Sequence, residues 1–293
     1  MRTIGEVRTI GIVVATLAAA GIVIAGTQFR RSFTALVPVV HAQSGCSNSS
    51  LRGSYGFQIR GTVIGIGPIG GVALVTFDGG GNFTQTDYVS VNGFITTNRP
   101  GSGTYSVNAD CTGTQTLDLL GGKVVHTNFT IAANARQVFD VVTDPSFVID
   151  GVGKAVGHGD ENEDDDYSPL ACSPKTIQGT YAISTTGSIV AFGPLGAVAD
   201  VGRITFDGNG GASQTTTVSL NGLIIPARSS IGGSFTVDSD CTGEVSLTLP
   251  GPAGPIISTS RLVVVDSGNQ LLLVNTGVGR VLAGAAIRQR TRN

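Results

Sequence analysis

The feature that most constrains this chain is that it repeats itself. Cys46-Ser47 followed by Leu51-Arg52-Gly53-Ser54-Tyr55 returns as Cys172-Ser173 followed by Ile177-Gln178-Gly179-Thr180-Tyr181. Gly67-Pro68-Ile69-Gly70 returns as Gly193-Pro194-Leu195-Gly196, and Thr76-Phe77-Asp78-Gly79 as Thr205-Phe206-Asp207-Gly208. Val91-Asn92-Gly93 returns as Leu220-Asn221-Gly222. The run from Gly103 through Asp110-Cys111-Thr112-Gly113 returns from Gly233 through Asp240-Cys241-Thr242-Gly243. The offset drifts only from 126 at the first cysteine of each copy to 130 at the second, as small loop insertions produce. Two copies of one supersecondary plan follow, at residues 43–156 and 172–293. Between them, residues 157–171 hold the acidic run Asp160 to Asp166, which has no apolar periodicity, repels itself and reads as a solvated linker.

The repeat also sorts the cysteines. Four cysteines allow three pairings, and a unit that folds on its own selects the one internal to each copy: Cys46 with Cys111, and Cys172 with Cys241. Disulfides imply an oxidising compartment, and residues 1–42 supply a route to it. Arg2 and Arg8 precede an apolar run from Ile10 to Gly26, and Val40-His41-Ala42 is a small-residue cleavage site before Gln43. Arg30-Arg31 interrupts this pattern, so the alternative to a cleaved signal is an N-terminal anchor, the run being barely long enough to span a bilayer. Either way the repeats are expected outside the cytoplasm: periplasmic, at the cell surface or secreted. Apart from an uncleaved anchor, no membrane association is expected.

Within each copy the punctuation is that of a β-meander. The chain has 43 glycines, no tryptophan and only 13% charged residues. Such a composition favours short strands and tight turns. Asn92-Gly93 suits a two-residue type I′ hairpin. In repeat 1, strands are predicted near 54–63, 72–77, 83–91, 94–97, 103–107, 114–119, 124–132, 137–143 and 147–155, with repeat 2 alike. Period-two alternation puts Tyr55, Phe57 and Ile59 on one face of the first strand and Gly56, Gln58 and Arg60 on the other. A meander of this length must hide its edges, so the expectation is all-β: two tandem antiparallel barrels of about eight strands each. A two-sheet sandwich is the alternative.

The combination of Cys46-Ser47, 51–55, Phe77-Asp78-Gly79-Gly80-Gly81-Asn82, Val91-Asn92-Gly93 and 103–113 resembles a group of uncharacterised exported bacterial proteins. Their domains are similar to the small calycin-like barrels that include allene oxide cyclase. The resemblance covers both repeats and implies the barrel fold. No position in this chain matches a catalytic residue of that enzyme.

The chemistry-bearing residues are few. No basic stripe exists to neutralise a phosphate backbone, which excludes nucleic acid as an expected partner. Beyond the signal only His126 and His158 remain; His126 reads as a strand residue and His158 as linker, and no His/Cys cluster has zinc spacing. Asp160, Asn162 and Asp164 alternate like the first ligands of a calcium loop. Asp165 stands where that loop needs glycine and Ala171 where it needs glutamate, so the linker reading is preferred. Asp78, Asp207, Asp110 and Asp240 read as turn residues. Tyr55 and Tyr181 match between copies, and with Phe57 and Ile183 they either pack a core or line a small apolar cavity. No cofactor is expected. Three functions follow as expectations: a non-enzymatic barrel binding a small apolar ligand, a cyclase or isomerase with a shaped apolar cavity, or a surface-adhesion or structural module.

Overall fold

In the computed structural model, which describes residues 45–119, 121–157, 171–251 and 254–290, repeat 1 is a closed barrel of eight antiparallel strands. In chain order these are β1 Arg52–Val63, β2 Gly67–Asp78, β3 Asn82–Val91, β4 Phe94–Val107, β5 Thr112–Leu119, β6 Lys123–Ala132, β7 Gln137–Val142 and β8 Phe147–Ala155. Each pairs with the next, and β8 closes on β1 from Tyr55↔Ala155 to Val63↔Phe147. Closure removes both sheet edges, as the meander requires, and the sandwich alternative falls away. The two runs read separately at 94–97 and 103–107 are one strand here. Pro100, which has no N–H to donate, is accommodated in β4 beside an irregularity between Asp87 and Val89 of β3.

Repeat 2 follows the same path with nine strands: β9 Gly179–Ile189, β10 Gly196–Phe206, β11 Ala212–Leu220, β12 Leu223–Ser229, β13 Gly232–Val237, β14 Thr242–Leu249, β15 Ile256–Val265, β16 Gln270–Asn275 and β17 Arg280–Arg288. Its sheet is curled, running from β12 through β9 and β17 to β13. The extra strand arises because the counterpart of β4 breaks at Ser230-Ile231. Across that seam lie one isolated bridge, Gly211↔Ser234, and donations from Ser230 N to Gln214 O (2.8 Å) and from Phe235 N to Gly210 O (2.8 Å).

Each barrel has a closed end and an open end. At the closed end of repeat 1, Tyr55, Phe83 and Tyr105 surround Phe77 with ring centroids 5.1 to 5.7 Å away, Tyr55 and Tyr105 meeting it edge to face. Fully buried Leu51 plugs that end. Tyr105 Oη donates to Leu51 O at 2.8 Å, and the Cys46–Cys111 disulfide ties the plug segment to the β4–β5 turn. Repeat 2 copies the device with Tyr181, Phe206 and Phe235, the plug Ile177 and the Cys172–Cys241 disulfide. The closed-end turns are held by aspartates. Asp78 Oδ1 accepts from Gly80 N (2.7 Å) and Asn82 N (2.9 Å), and Asp207 Oδ1 from Asn209 N and Gly211 N. The Asn82 side-chain amide, then the Asn82 and Gly80 backbone amides, hold the Asp78 carboxyl down at about 2. Asp110 and Asp240 do the same work beside the second cysteine of each copy. At the open end, Asn92 and Gly93 both have positive φ (48° and 81°), the type I′ geometry their sequence predicts.

The described parts of the two repeats form one compact unit, because their outer faces are apolar where they meet. Residues 262–265 and 271–274 are buried on both sides of the sheet. Leu262, Val264, Leu271 and Leu273 point into barrel 2, whereas Val263, Val265, Leu272 and Val274 pack against Val72 and Tyr88 of repeat 1. Gly56 makes the approach possible, since a Cβ there would lie 2.5 Å from Val265 Cγ1. Gln58, on the polar side of the alternation, is buried in this interface and donates from Nε2 to Gly284 O. Gly279 N donates to Gly93 O (3.0 Å) at the open ends and Ser267 N to Val156 O (2.8 Å) at the closed ends, so both barrels open to the same side. Among the described residues no helix is long and apolar enough to cross a membrane. Residues 1–44, where the export signal is expected, and 158–170, with His158, Asp160, Asn162 and Asp164, lie outside the described residues.

Candidate functional site

The space left inside barrel 1, above its aromatic floor, is a cavity of about 180 Å³. Its wall follows from strand alternation: Phe57 and Ile59 from β1, Ala73 and Val75 from β2, Leu117 and Leu119 from β5 and Val125 from β6 all face inward. It reaches the open rim at Ile66 and Phe147, where Lys123 Nζ stands 5.1 Å from the centre of the Phe147 ring. Exposed apolar side chains collect around the two open ends, among them Ile64, Ile66, Phe94, Phe192, Leu195 and Leu223, each between 57% and 86% exposed.

Polar groups interrupt this apolar wall in two places. On β3 and β4, Asp87 is 1% exposed and meets the Arg99 fork, with Nε–Oδ1 at 2.9 Å and Nη2–Oδ2 at 2.7 Å. Gln85 Nε2 donates to Asp87 Oδ2 at 3.0 Å. Burial pushes the Asp87 carboxyl up, and the guanidinium pulls against it. This pair is satisfied and forms a fixed polar wall.

Asp140, from β7, is different. Its carboxylate lies over Gly151 of β8, filling the place of a side chain: a Cβ on Gly151 would be 2.1 Å from Asp140 Oδ1. Desolvation, then repulsion from Asp150, raise its pKa to about 6, with the Gly151 backbone amide pulling weakly the other way. Asp140 is partly exposed and lines both the interior cavity and an outer groove beside Phe139 and Val141. Among the described residues no cation and no side-chain donor meets it. Lys123 lies six residues along β6 from Phe129, the register partner of Asp140, about 20 Å at ~3.3 Å per residue. On the same wall Thr127 Oγ1 is buried with no hydrogen-bond partner.

Barrel 2 has a smaller cavity of about 100 Å³, lined by Ile183, Asp200, Gln214, Thr216 and Asn275 among others. Asp200 Oδ2 accepts from Thr185 Oγ1 (2.7 Å), its Oδ1 has no partner, and burial raises its pKa. The two interiors differ at the decisive places. Register aligns Asp140 with Leu273, both opposite a glycine (151 and 284), and aligns Asp87, opposite Arg99, with Thr216, opposite Arg228.

Of the residues singled out from sequence, Phe57 lines the first cavity and Ile183 the second. Tyr55 and Tyr181 lie beneath, in the closed-end cores, with Tyr55 Oη donating to Ala135 O (2.5 Å) and Tyr181 Oη to Gly268 O (2.6 Å). His126 is on the outer face, its Nδ1 2.7 Å from Asp144 Oδ1. Among the described residues no three His, Cys, Asp or Glu side chains gather to hold a metal. The sequence reading missed Asp87, Arg99, Thr127 and Asp140. A signal existed for the last: Asp140 stands in the apolar run Val138 to Val142, in phase with the inward Val138.

No protein-family model matches this chain, and no curated protein matches it in sequence.

Proposed function

We propose that this is an exported, non-enzymatic binding protein whose first barrel holds a small, mainly apolar ligand. The observation that carries the reading is the cavity of about 180 Å³, walled by Phe57, Val75, Leu117 and their neighbours and reaching an apolar rim. Cavities of this kind, apolar with a few placed polar groups, are the usual form of small-molecule sites. An empty apolar cavity of about 150 Å³ is enough to take up benzene. The two disulfides fit a periplasmic or extracellular setting, and export through residues 1–42 belongs to this proposal.

The test is native mass spectrometry of the mature protein purified from its own host. A small molecule released on denaturation, and lost in a cavity-filling Ala73→Leu variant, supports the reading. An empty protein that also fails to take up small hydrocarbons offered in vitro overturns it.

A second reading, a cyclase or isomerase, draws on Asp140. A carboxyl near 6 in an apolar cavity is poised to exchange a proton at neutral pH. It requires that the released molecule be converted by the protein at a rate that Asp140→Asn abolishes; unchanged ligand recovered after prolonged incubation counts against it.

A further inference from the structure

The cavity of barrel 1 has one feature that an apolar guest leaves unanswered. Asp140 carries its charge into a wall of valine, leucine and isoleucine, over the bare backbone of Gly151. A partly buried carboxylate with one backbone amide beside it and no cation is costly, and a ligand cation in the cavity would relieve that cost. Close by, Thr127 Oγ1 is buried without a partner. The other interior carboxylate, Asp87, is already neutralised by Arg99. The local balance on the Asp140 wall is negative, and Asp150 on β8 adds to it.

We propose that the ligand of barrel 1 is a small apolar amine, its ammonium group on the Asp140 carboxylate within reach of Thr127 Oγ1, and its hydrocarbon body against Phe57, Val75 and Leu117. The inference rests on the ligand-binding reading above and names its chemical class. An ammonium supplies both a charge and several donors, which an ionised carboxylate and an orphaned hydroxyl can accept. Cavity size limits the buried part to about seven non-hydrogen atoms, scaling from benzene in about 150 Å³. A carboxylate ligand is excluded from this wall by like-charge repulsion, and a neutral hydrocarbon leaves Asp140 desolvated and unpaired. Repeat 2, with Leu273 at the matching place, does not share this preference.

The groups facing Asp140 are few, which makes its titration readable. β8 contributes Gly151 and Ile149 inward and Asp150 beside them. β6 contributes Phe129 and Thr127, while His126 faces outward to Asp144. Across the cavity stands the Asp87–Arg99 pair, and Lys123 is at the rim.

The experiment is a calorimetric or NMR titration of the mature two-barrel protein with benzylamine, ethylbenzene and benzoate, at pH 7.5 and at pH 4.5. The expected result is benzylamine binding at least about tenfold more tightly than ethylbenzene at pH 7.5, and benzoate not binding. That advantage should shrink severalfold at pH 4.5, where Asp140 is mostly protonated. In Asp140→Asn, ethylbenzene should still bind and the advantage of the amine should disappear. Equal binding of the amine and the hydrocarbon, or an amine preference that survives Asp140→Asn, overturns this inference and leaves the apolar-binding reading standing. Binding of neither probe overturns both. If Asp140→Asn does not fold, Asp140→Leu carries the same comparison, since the fold already holds leucine at the corresponding residue 273.

Discussion

Replacing Asp140 by asparagine should change how the stability of the protein responds to pH, independently of any ligand. In the folded molecule the carboxyl titrates near 6 instead of 3.8, because burial and Asp150 disfavour its charge. Folding therefore favours the protonated form. Below about pH 3 the group is protonated in both states and costs nothing. As pH rises from about 4 to 6 the unfolded chain releases the proton first, and stability falls. Above about pH 7 the loss is complete, at about 3 kcal/mol for a displacement of this size. Asp140→Asn removes this dependence while keeping the shape. Its own cost, a buried amide of about 1–3 kcal/mol, does not vary with pH. The measurement is urea unfolding of both proteins, disulfides intact, at pH 4, 5, 6 and 7. The stability difference between variant and parent should move by about 2–2.5 kcal/mol in favour of the variant from pH 4 to pH 7. The depressed carboxyls, such as Asp78 and Asp207, contribute equally to both proteins and cancel. A difference that stays flat across this range refutes the placement of Asp140 as a desolvated carboxylate with no cation beside it, and with it the basis of the amine inference.

Three further outcomes follow from other parts of the molecule. Cys111→Ser opens a loop closed across a sequence separation of 65, which should cost about 4 kcal/mol by chain entropy; urea unfolding of oxidised parent and variant reads it, and a loss below about 1 kcal/mol would mean the plug holds without its staple. Arg99→Met strands Asp87, which is 1% exposed, at an expected cost of about 3–5 kcal/mol, whereas Arg99→Met with Asp87→Thr, the residue at 216 in repeat 2, should recover most of it; a double variant no better than the single rejects the pairing. Gly56→Val drives a side chain into Val265, whose Cγ1 would lie 2.5 Å from the added Cβ, and should lower stability by at least about 1–3 kcal/mol and split one thermal transition into two, as calorimetry would show.

Much of the fold is legible in the sequence because it depends on short-range chemistry. Asn92-Gly93 specifies its own turn through two positive φ values, Asp78 binds amides two and four residues ahead, and the alternation of Tyr55, Phe57 and Ile59 already states which side is inside. The disulfides follow from the repeat. What the sequence hides depends on long-range geometry. Gln58 looks like a solvent-facing residue until the second barrel covers it. Gly56 looks like a weak spot in a strand until Val263 and Val265 arrive against it. Arg99 and Asp87 are 12 residues apart, joined only by the return of β4 along β3. Asp140 falls at an ordinary inward position, and only closure of the barrel turns that position into an apolar cavity.

The comparison between the copies separates what the fold needs from what a ligand would need. The closed ends agree in detail: plug, disulfide, aromatic cluster and aspartate turns recur at matching places. The interiors above them do not. Repeat 1 places Gly71, Asp87, Thr127 and Asp140 where repeat 2 has Asp200, Thr216, Ser260 and Leu273. If the interior carboxylates served stability, their removal to a different strand in the second copy would be hard to understand, since a buried charge weakens a barrel wherever it stands. Leu273 demonstrates that the position of Asp140 can be filled by an apolar side chain in the same architecture. Retaining a carboxylate there costs stability that leucine would not, and the ammonium ligand proposed above is what would offset that cost.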